Sequence, residues 1–156
     1  MNTPRRSSSP PLRSSDKQRR GDPKSVSRAS TLDLRARLLR AAEEEIAATG
    51  PARASLRAIA RRCGVSHQAT AHHFVDRAGL FTALAVEGHQ LLLEETREAV
   101  DATPVEGGQQ VAAAGAAYVA FSRRHAALFD LMFRPDLLRN DDEQLAAARL
   151  AQRGLM

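Results

Sequence analysis

The chain has no tryptophan, one tyrosine (Tyr118) and one cysteine (Cys63) in 156 residues. A single cysteine has no partner for an intramolecular disulfide, which suits a reducing compartment. With so few aromatic residues, the interior is expected to be mainly aliphatic. No apolar run approaches the roughly 20 residues that a helical membrane span requires. Arg5-Arg6 and Arg19-Arg20 look superficially like export signals, but no apolar stretch follows either pair, so a cytoplasmic chain with no membrane partner is expected. A Gly-rich phosphate loop, a nucleophile elbow and a paired His–carboxylate arrangement are also lacking. An enzyme is therefore not expected and no cofactor is implied. A catalytic role would have to rest on His89 or His125.

Ala, Leu, Arg and Glu dominate, while Val and Ile are sparse, so propensity favours helices over strands and the expected fold class is all-α. Hydrophobic residues make up 43% of the chain, enough for a packed interior. The net charge of +5 is uneven. Residues 1–30 hold six Arg and two Lys against two Asp, with much Ser and Pro and almost no large apolar side chains. That segment is expected to be a disordered basic tail, acting either as a solvated leader or as an arm that adds non-specific DNA affinity. The remainder is close to neutral, yet Pro51 to Arg77 concentrates Arg53, Arg57, Arg61, Arg62 and Arg77 against Asp76 alone. A positive patch on a small helical unit is what attraction to phosphates requires.

A first helix is expected to start near Ser30 or Thr31, where Ser30-Thr31-Leu32-Asp33 fits a capping box. Leu34, Leu38, Leu39, Ala42 and Ile46 then share one face, and Thr49-Gly50-Pro51 ends it. Glu43-Glu44-Glu45 reads as a solvated face. Ser55 is placed to cap a short helix over Leu56 to Cys63 that buries Leu56, Ile59 and Ala60. Gly64 permits a sharp turn, Val65 fills the angle, and Ser66 caps a second short helix to about His73, with Phe74 closing the core. Cys63 reads as a packing residue rather than a redox sensor.

On that second helix, His67, Gln68, Ala71 and His72 fall on one arc, and Thr70 and Phe74 lie opposite. The arc is short or hydrogen-bonding, as a helix seated in a major groove requires. Gln68 can pair with an adenine edge, His67 and His72 can donate to bases or phosphates, and Ala71 can meet a thymine methyl. Arg57 is near enough to reach a base or the backbone. A metal set from His67, His72 and His73 is not expected, because no pair has the i,i+4 spacing that puts two ligands on one face.

Ser55 to Ala60, Cys63 to Ser66 and His72 to Leu80 together resemble the DNA-binding head of TetR-type (tetracycline-repressor-like) regulators, over residues 31–88. The resemblance implies phosphate contacts from Ser55 and Arg77, with Ser66 at the start of the recognition helix. It implies groove contacts from Arg57, His67, Gln68, Ala71, His72 and His73. Ala71 stands where that family often has Tyr, Thr70 where Leu or Pro is commoner, and Arg77 where Lys is usual. It further implies a head at 31–76, a body at 77–156, a homodimer, double-stranded DNA with a near-palindromic operator, a small hydrophobic effector and repression of transcription. Nucleoid association follows from the same reading. Ala71 and Thr70 keep a second reading open, a helical dimerising or ligand-sequestering protein that has lost DNA binding.

Further along, a long helix is expected from Asp76 to Val100, with Leu80, Phe81, Leu84, Gly88, Leu91 and Leu92 on one face. After a break at Asp101–Gly108, a helix from Gln109 to Arg124 is expected to present Val111, Gly115, Tyr118 and Ser122 along one side. A short apolar helix follows from Ala126 to Phe133. A last segment, Asp141 to Arg153, looks helical but has no clear partner. Arg124 to Phe133 is similar to a segment in the effector-binding body of the TetR branch that carries a later Trp-His-Gly motif. That motif and two closing helices are absent, so an incomplete body is expected. His89, Leu92, Tyr118, Phe121, His125, Phe129 and Met132 are the candidate effector-pocket residues, and the same side chains could simply be core.

Overall fold

A computed structural model describes residues 23–105 and 108–154, with side chains from Asp33 onward. Among the described residues there are seven helices and no strand: α1 (Pro23–Thr49), α2 (Leu56–Cys63), α3 (His67–His73), α4 (Arg77–Asp101), α5 (Gln109–Arg124), α6 (Ala126–Met132) and α7 (Glu143–Arg153). The fold is all-α, as composition indicates.

α1 begins seven residues before the expected start near Ser30. Proline is well suited to a first helical turn, where its missing N–H would have no intrahelical acceptor. Nothing between Lys24 and Thr31 is Gly or Pro, so the helix continues. Ser30 and Thr31 therefore lie inside α1 and do not cap it. Residues 23–30 of the expected tail are helical, and residues 1–22 lie outside the described residues. The other end matches: Gly50 adopts φ 81° and its N–H donates to the Ile46 carbonyl at 2.8 Å.

One apolar core joins the elements. Leu38, Leu39, Ala42 and Ile46 of α1 meet Ile59 of α2, Phe74, and Leu80, Phe81 and Leu84 of α4. The same core runs on through Leu92, Phe121, Leu128, Leu131, Met132 and Leu145. Leu91, placed on the inner face of α4 by periodicity, is exposed, while Ala85 and His89 are buried there instead. Gly88 lets α6 approach closely: a Cβ there would sit 2.8 Å from Met132 Sδ and 3.0 Å from Leu128 Cδ1.

The α5 side through Val111, Gly115, Tyr118 and Ser122 is largely open: Val111 is 78% exposed, Gly115 is exposed, and Phe121 is the one buried residue of that helix. α7, which had no evident partner, packs on α4 through Leu145, Ala148 and Gln152. Those three follow an i, i+3, i+7 spacing, so a narrow buried stripe exists within a polar-rich sequence. The Glu43-Glu44-Glu45 run is also less free than expected. Glu44 and Glu45 pair with Arg62 of α2, and Glu43 lies 3.6 Å from His125 Nδ1.

Candidate nucleic-acid interface and effector cavity

The α2–turn–α3 unit is held by local hydrogen bonds that its sequence supplies. Ser55 Oγ accepts from the Ala58 N–H at 3.2 Å, and Ser66 Oγ accepts from the Ala69 N–H at 3.1 Å. Each satisfies a donor that the first turn of a helix leaves unpaired. Between them Gly64 takes φ 72°, a left-handed conformation that side chains with a Cβ disfavour. Its N–H donates to the Arg61 carbonyl at 3.1 Å, and the Val65 N–H donates to the Ala60 carbonyl at 3.0 Å. Together these form a Schellman termination. Arg37 of α1 adds a bond to the Cys63 carbonyl at 3.0 Å. The angle between α2 and α3 is thus fixed from both sides.

α3 divides into two faces. Thr70 is fully buried, its hydroxyl donating to the Ser66 carbonyl at 3.3 Å, and Phe74 is 5% exposed. A buried hydroxyl with an acceptor carries little penalty, so Thr70 is accommodated without disturbing the helix. His67, Gln68, Ala71 and His72 are all exposed on the outer face. His73 is half-buried beside Phe74, ring centroids 6.4 Å apart, at the edge of that face. Arg57 and Arg61, four residues apart on α2, are exposed, as is Arg53 in the preceding turn. None of the three has an ion-pair partner among the described residues.

Arg77, for which the resemblance implies a phosphate contact, also has acceptors within the chain. Its Nη1 donates to the carbonyls of Ala52 at 3.1 Å and Ala54 at 3.2 Å, and its guanidinium lies 5.5 Å from the Phe81 ring centroid. It ties the α1–α2 turn to the first turn of α4. Arg62 is likewise occupied by Glu45, and Arg35 stacks on Phe74 at 5.6 Å while pairing with Glu87. The arginines of this region therefore separate into free and engaged sets that composition alone does not distinguish.

The junction with the second half is also built from side chains. Asp76 caps α4, its Oδ1 accepting from the Gly79 N–H at 2.8 Å, and its Oδ2 accepts from Arg139 at 2.8 Å. The Gly79 bond, followed by the Arg139 bond, holds the Asp76 carboxyl below its usual range. The Arg139 backbone N–H donates to the buried Thr82 hydroxyl at 2.9 Å. The α6–α7 connection is thereby fastened two residues beyond Phe74.

The same connection lines a cavity of about 360 Å³ among α4, α5, α6 and α7. Of the candidate pocket residues, His89, Tyr118 and Met132 come together there. Phe129 meets Tyr118 at a neighbouring, shallower hollow with Ala126, Asp130 and Phe133. Leu92 and Phe121 are core and line neither, and His125 turns toward Glu43 and stacks on Phe121, centroids 4.9 Å apart. Five lining residues escaped sequence reasoning: Phe133, Pro135, Arg149, Gln152 and Arg153. A signal existed for Gln152, a polar residue in line with Leu145 and Ala148. His89 is 2% exposed and donates through Nδ1 to Gln152 Oε1, while its Nε2 has no hydrogen-bond partner among the described residues. Burial, which disfavours the charged ring, moves the His89 pKa below the ordinary histidine value despite the Gln152 bond. Because Gln152 Oε1 can only accept, Nδ1 carries the proton of the neutral ring and Nε2 is left as its acceptor.

No helix among the described residues is long and apolar enough to cross a membrane. No curated protein matches the chain. A solved structure titled "Structure of a protein with unknown function from Rhodococcus sp. RHA1" is similar, with 35% sequence identity and a TM-score of 0.69 over 78% of this chain. The chain spans 63% of that protein's length. Residues 38–84, which run from the buried face of α1 to the first turns of α4, match the family described as bacterial regulatory proteins, tetR family. The stretch that is similar to that family contains the helix-turn-helix with its outward face on α3.

Proposed function

We propose that the protein is a dimeric, effector-responsive repressor of transcription that reads a near-palindromic operator with α3. The observation that carries the reading is the division of α3, with Thr70 and Phe74 locked inward while His67, Gln68, Ala71 and His72 face solvent. On this reading residues 31–76 act as the head and 77–156 as the body, with two heads about 34–36 Å apart in the dimer. Arg53, Arg57 and Arg61 serve the phosphates, with Ser55 and Ser66 presenting helix N-termini to them. Arg77 serves as a brace. An effector in the α4–α7 cavity would act on the head through Phe133 and Pro135, the Arg139 clasp and the Asp76 cap, favouring a state with altered head spacing.

Fluorescence anisotropy with the duplex upstream of the coding region, searched for an inverted repeat, tests the reading. Gln68→Ala should weaken operator binding by roughly ten- to a hundredfold while leaving random duplex unchanged, as loss of a bidentate base contact predicts. If three arginines per head each neutralise one phosphate, log K should fall against log salt with a slope of about −5 for the dimer. Equal losses on specific and random DNA would remove Gln68 from the reading. Absence of affinity for any duplex in dilute buffer would leave the ligand-sequestering alternative.

A further inference from the structure

Four features of the α4–α7 cavity constrain what it can hold. Its floor is His89, almost wholly buried, whose Nε2 is an unpaired acceptor. Its sides include the rings of Tyr118 and Phe133 and the thioether of Met132. Its rim carries Arg149, half-buried, and Arg153, exposed, one turn apart on α7. Neither arginine has a carboxylate partner among the described residues, and the one side-chain bond there is from Arg149 to Asn140 Oδ1 at 3.3 Å. The neighbouring hollow shares Tyr118 and Phe133 but carries Asp130, so the two openings differ in sign.

A buried acceptor without a donor carries a cost that a ligand can relieve, and two cations at the mouth of an apolar cleft favour an anion. The volume lies at the lower end of the roughly 300–1,000 Å³ usual for ligand pockets, which suits one ring with a short substituent. Building on the effector-responsive reading above, we infer that the cavity takes a small aromatic hydroxy acid rather than a purely apolar molecule. Its ring packs against Tyr118, Met132 and Phe133, its hydroxyl donates to His89 Nε2, and its carboxylate meets Arg149 and Arg153. Guanidinium groups suit that carboxylate because they can bind it bidentately.

Calorimetric titration of the full chain tests this with three probes: 3-(4-hydroxyphenyl)propanoate, its methyl ester, and 3-phenylpropanoate. The hydroxy acid should bind about tenfold or more tightly than either of the others, one charge-assisted or one buried hydrogen bond being lost in each. Arg153→Gln, at an exposed site that folding does not need, should narrow the acid-to-ester ratio and keep the hydroxyl effect. His89→Leu should do the reverse, and the comparison of probes on the unaltered chain stands even if that variant fails to fold. Equal affinity for acid and ester, or no binding of any probe at millimolar concentration, would overturn the inference. A parallel anisotropy measurement on duplex DNA separates it from the reading on which it rests. Selective binding of the hydroxy acid without any change in duplex affinity keeps the ligand class and refutes its role as effector. Acid and ester releasing DNA equally well keeps the effector role and refutes the ligand class.

Discussion

The two halves of the molecule are assembled in different ways. In the head, α2 and α3 start on side-chain caps from Ser55 and Ser66, and Asp76 caps α4 where the second half begins. The turn between α2 and α3 is closed by Gly64 and the α1–α2 turn is braced by Arg77. In the second half Asp142 caps α7, whereas α5 and α6 have no side-chain cap bond and α5 buries Phe121 alone. Large apolar side chains also remain outside there, including Val111 and Val119, the latter 49% exposed. On the proposed reading, a helix that enters a groove in one orientation gains from being over-determined by short-range bonds. On the same reading, a cavity that admits and releases a ligand gains from neighbours such as α5 and α6 that are held by packing rather than by side-chain caps.

The strongest way to break this contrast is to empty the head's core. Phe74→Ala should cost about 3–5 kcal/mol, measured as a lower urea midpoint, and abolish duplex binding with it. A loss below about 1 kcal/mol would mean that Phe74 does not anchor α3. Arg77→Ala should destabilise the chain by about 1–3 kcal/mol, because the Ala52 and Ala54 carbonyls lose a charged donor. An unchanged melting temperature with weaker binding to every duplex would instead return Arg77 to the phosphate role.

In the second half the sharpest test is pH. The depressed His89 pKa means that the unfolded chain binds a proton which the folded chain resists. That contribution to stability is complete above the unfolded value near 6.5 and is lost as pH falls through the folded value. The melting temperature of the native chain should drop on acidification below that point, and His89→Gln should remove this part of the drop. The smallest effect is expected on α5, where Val119→Ser should change stability by no more than about 0.5 kcal/mol. A larger loss in the isolated chain would show that this face is covered in solution.

The head was legible in the sequence because its determinants are local. Ser55, Gly64, Ser66 and Asp76 act on backbone groups within a few residues, and 3.6-residue periodicity separates Thr70 from Gln68 without any knowledge of the fold. Gln109 and Arg124 were readable as the ends of α5 for the same reason, lying between Gly108 and His125. The start of α1 was not, since a weak capping pattern at Ser30 competes with uninterrupted helix formers back to Pro23. The cavity was half-legible. His89 and Gln152 are 63 residues apart in sequence and meet only once α7 docks on α4. Arg77 shows a similar limit: its bonds to the Ala52 and Ala54 carbonyls span 25 and 23 residues of sequence, which no local pattern announces.

The bare α-carbon at Gly88 has a consequence for ligand choice. α6 leans on α4 at that point, and the sulfur that a methyl group would strike belongs to Met132, which lines the cavity. Adding one carbon at position 88 would drive a flexible thioether toward the space a ligand needs. Pocket size is thus set from behind, at a residue outside the cavity lining, and a related chain could acquire a narrower specificity without altering any group that contacts its ligand.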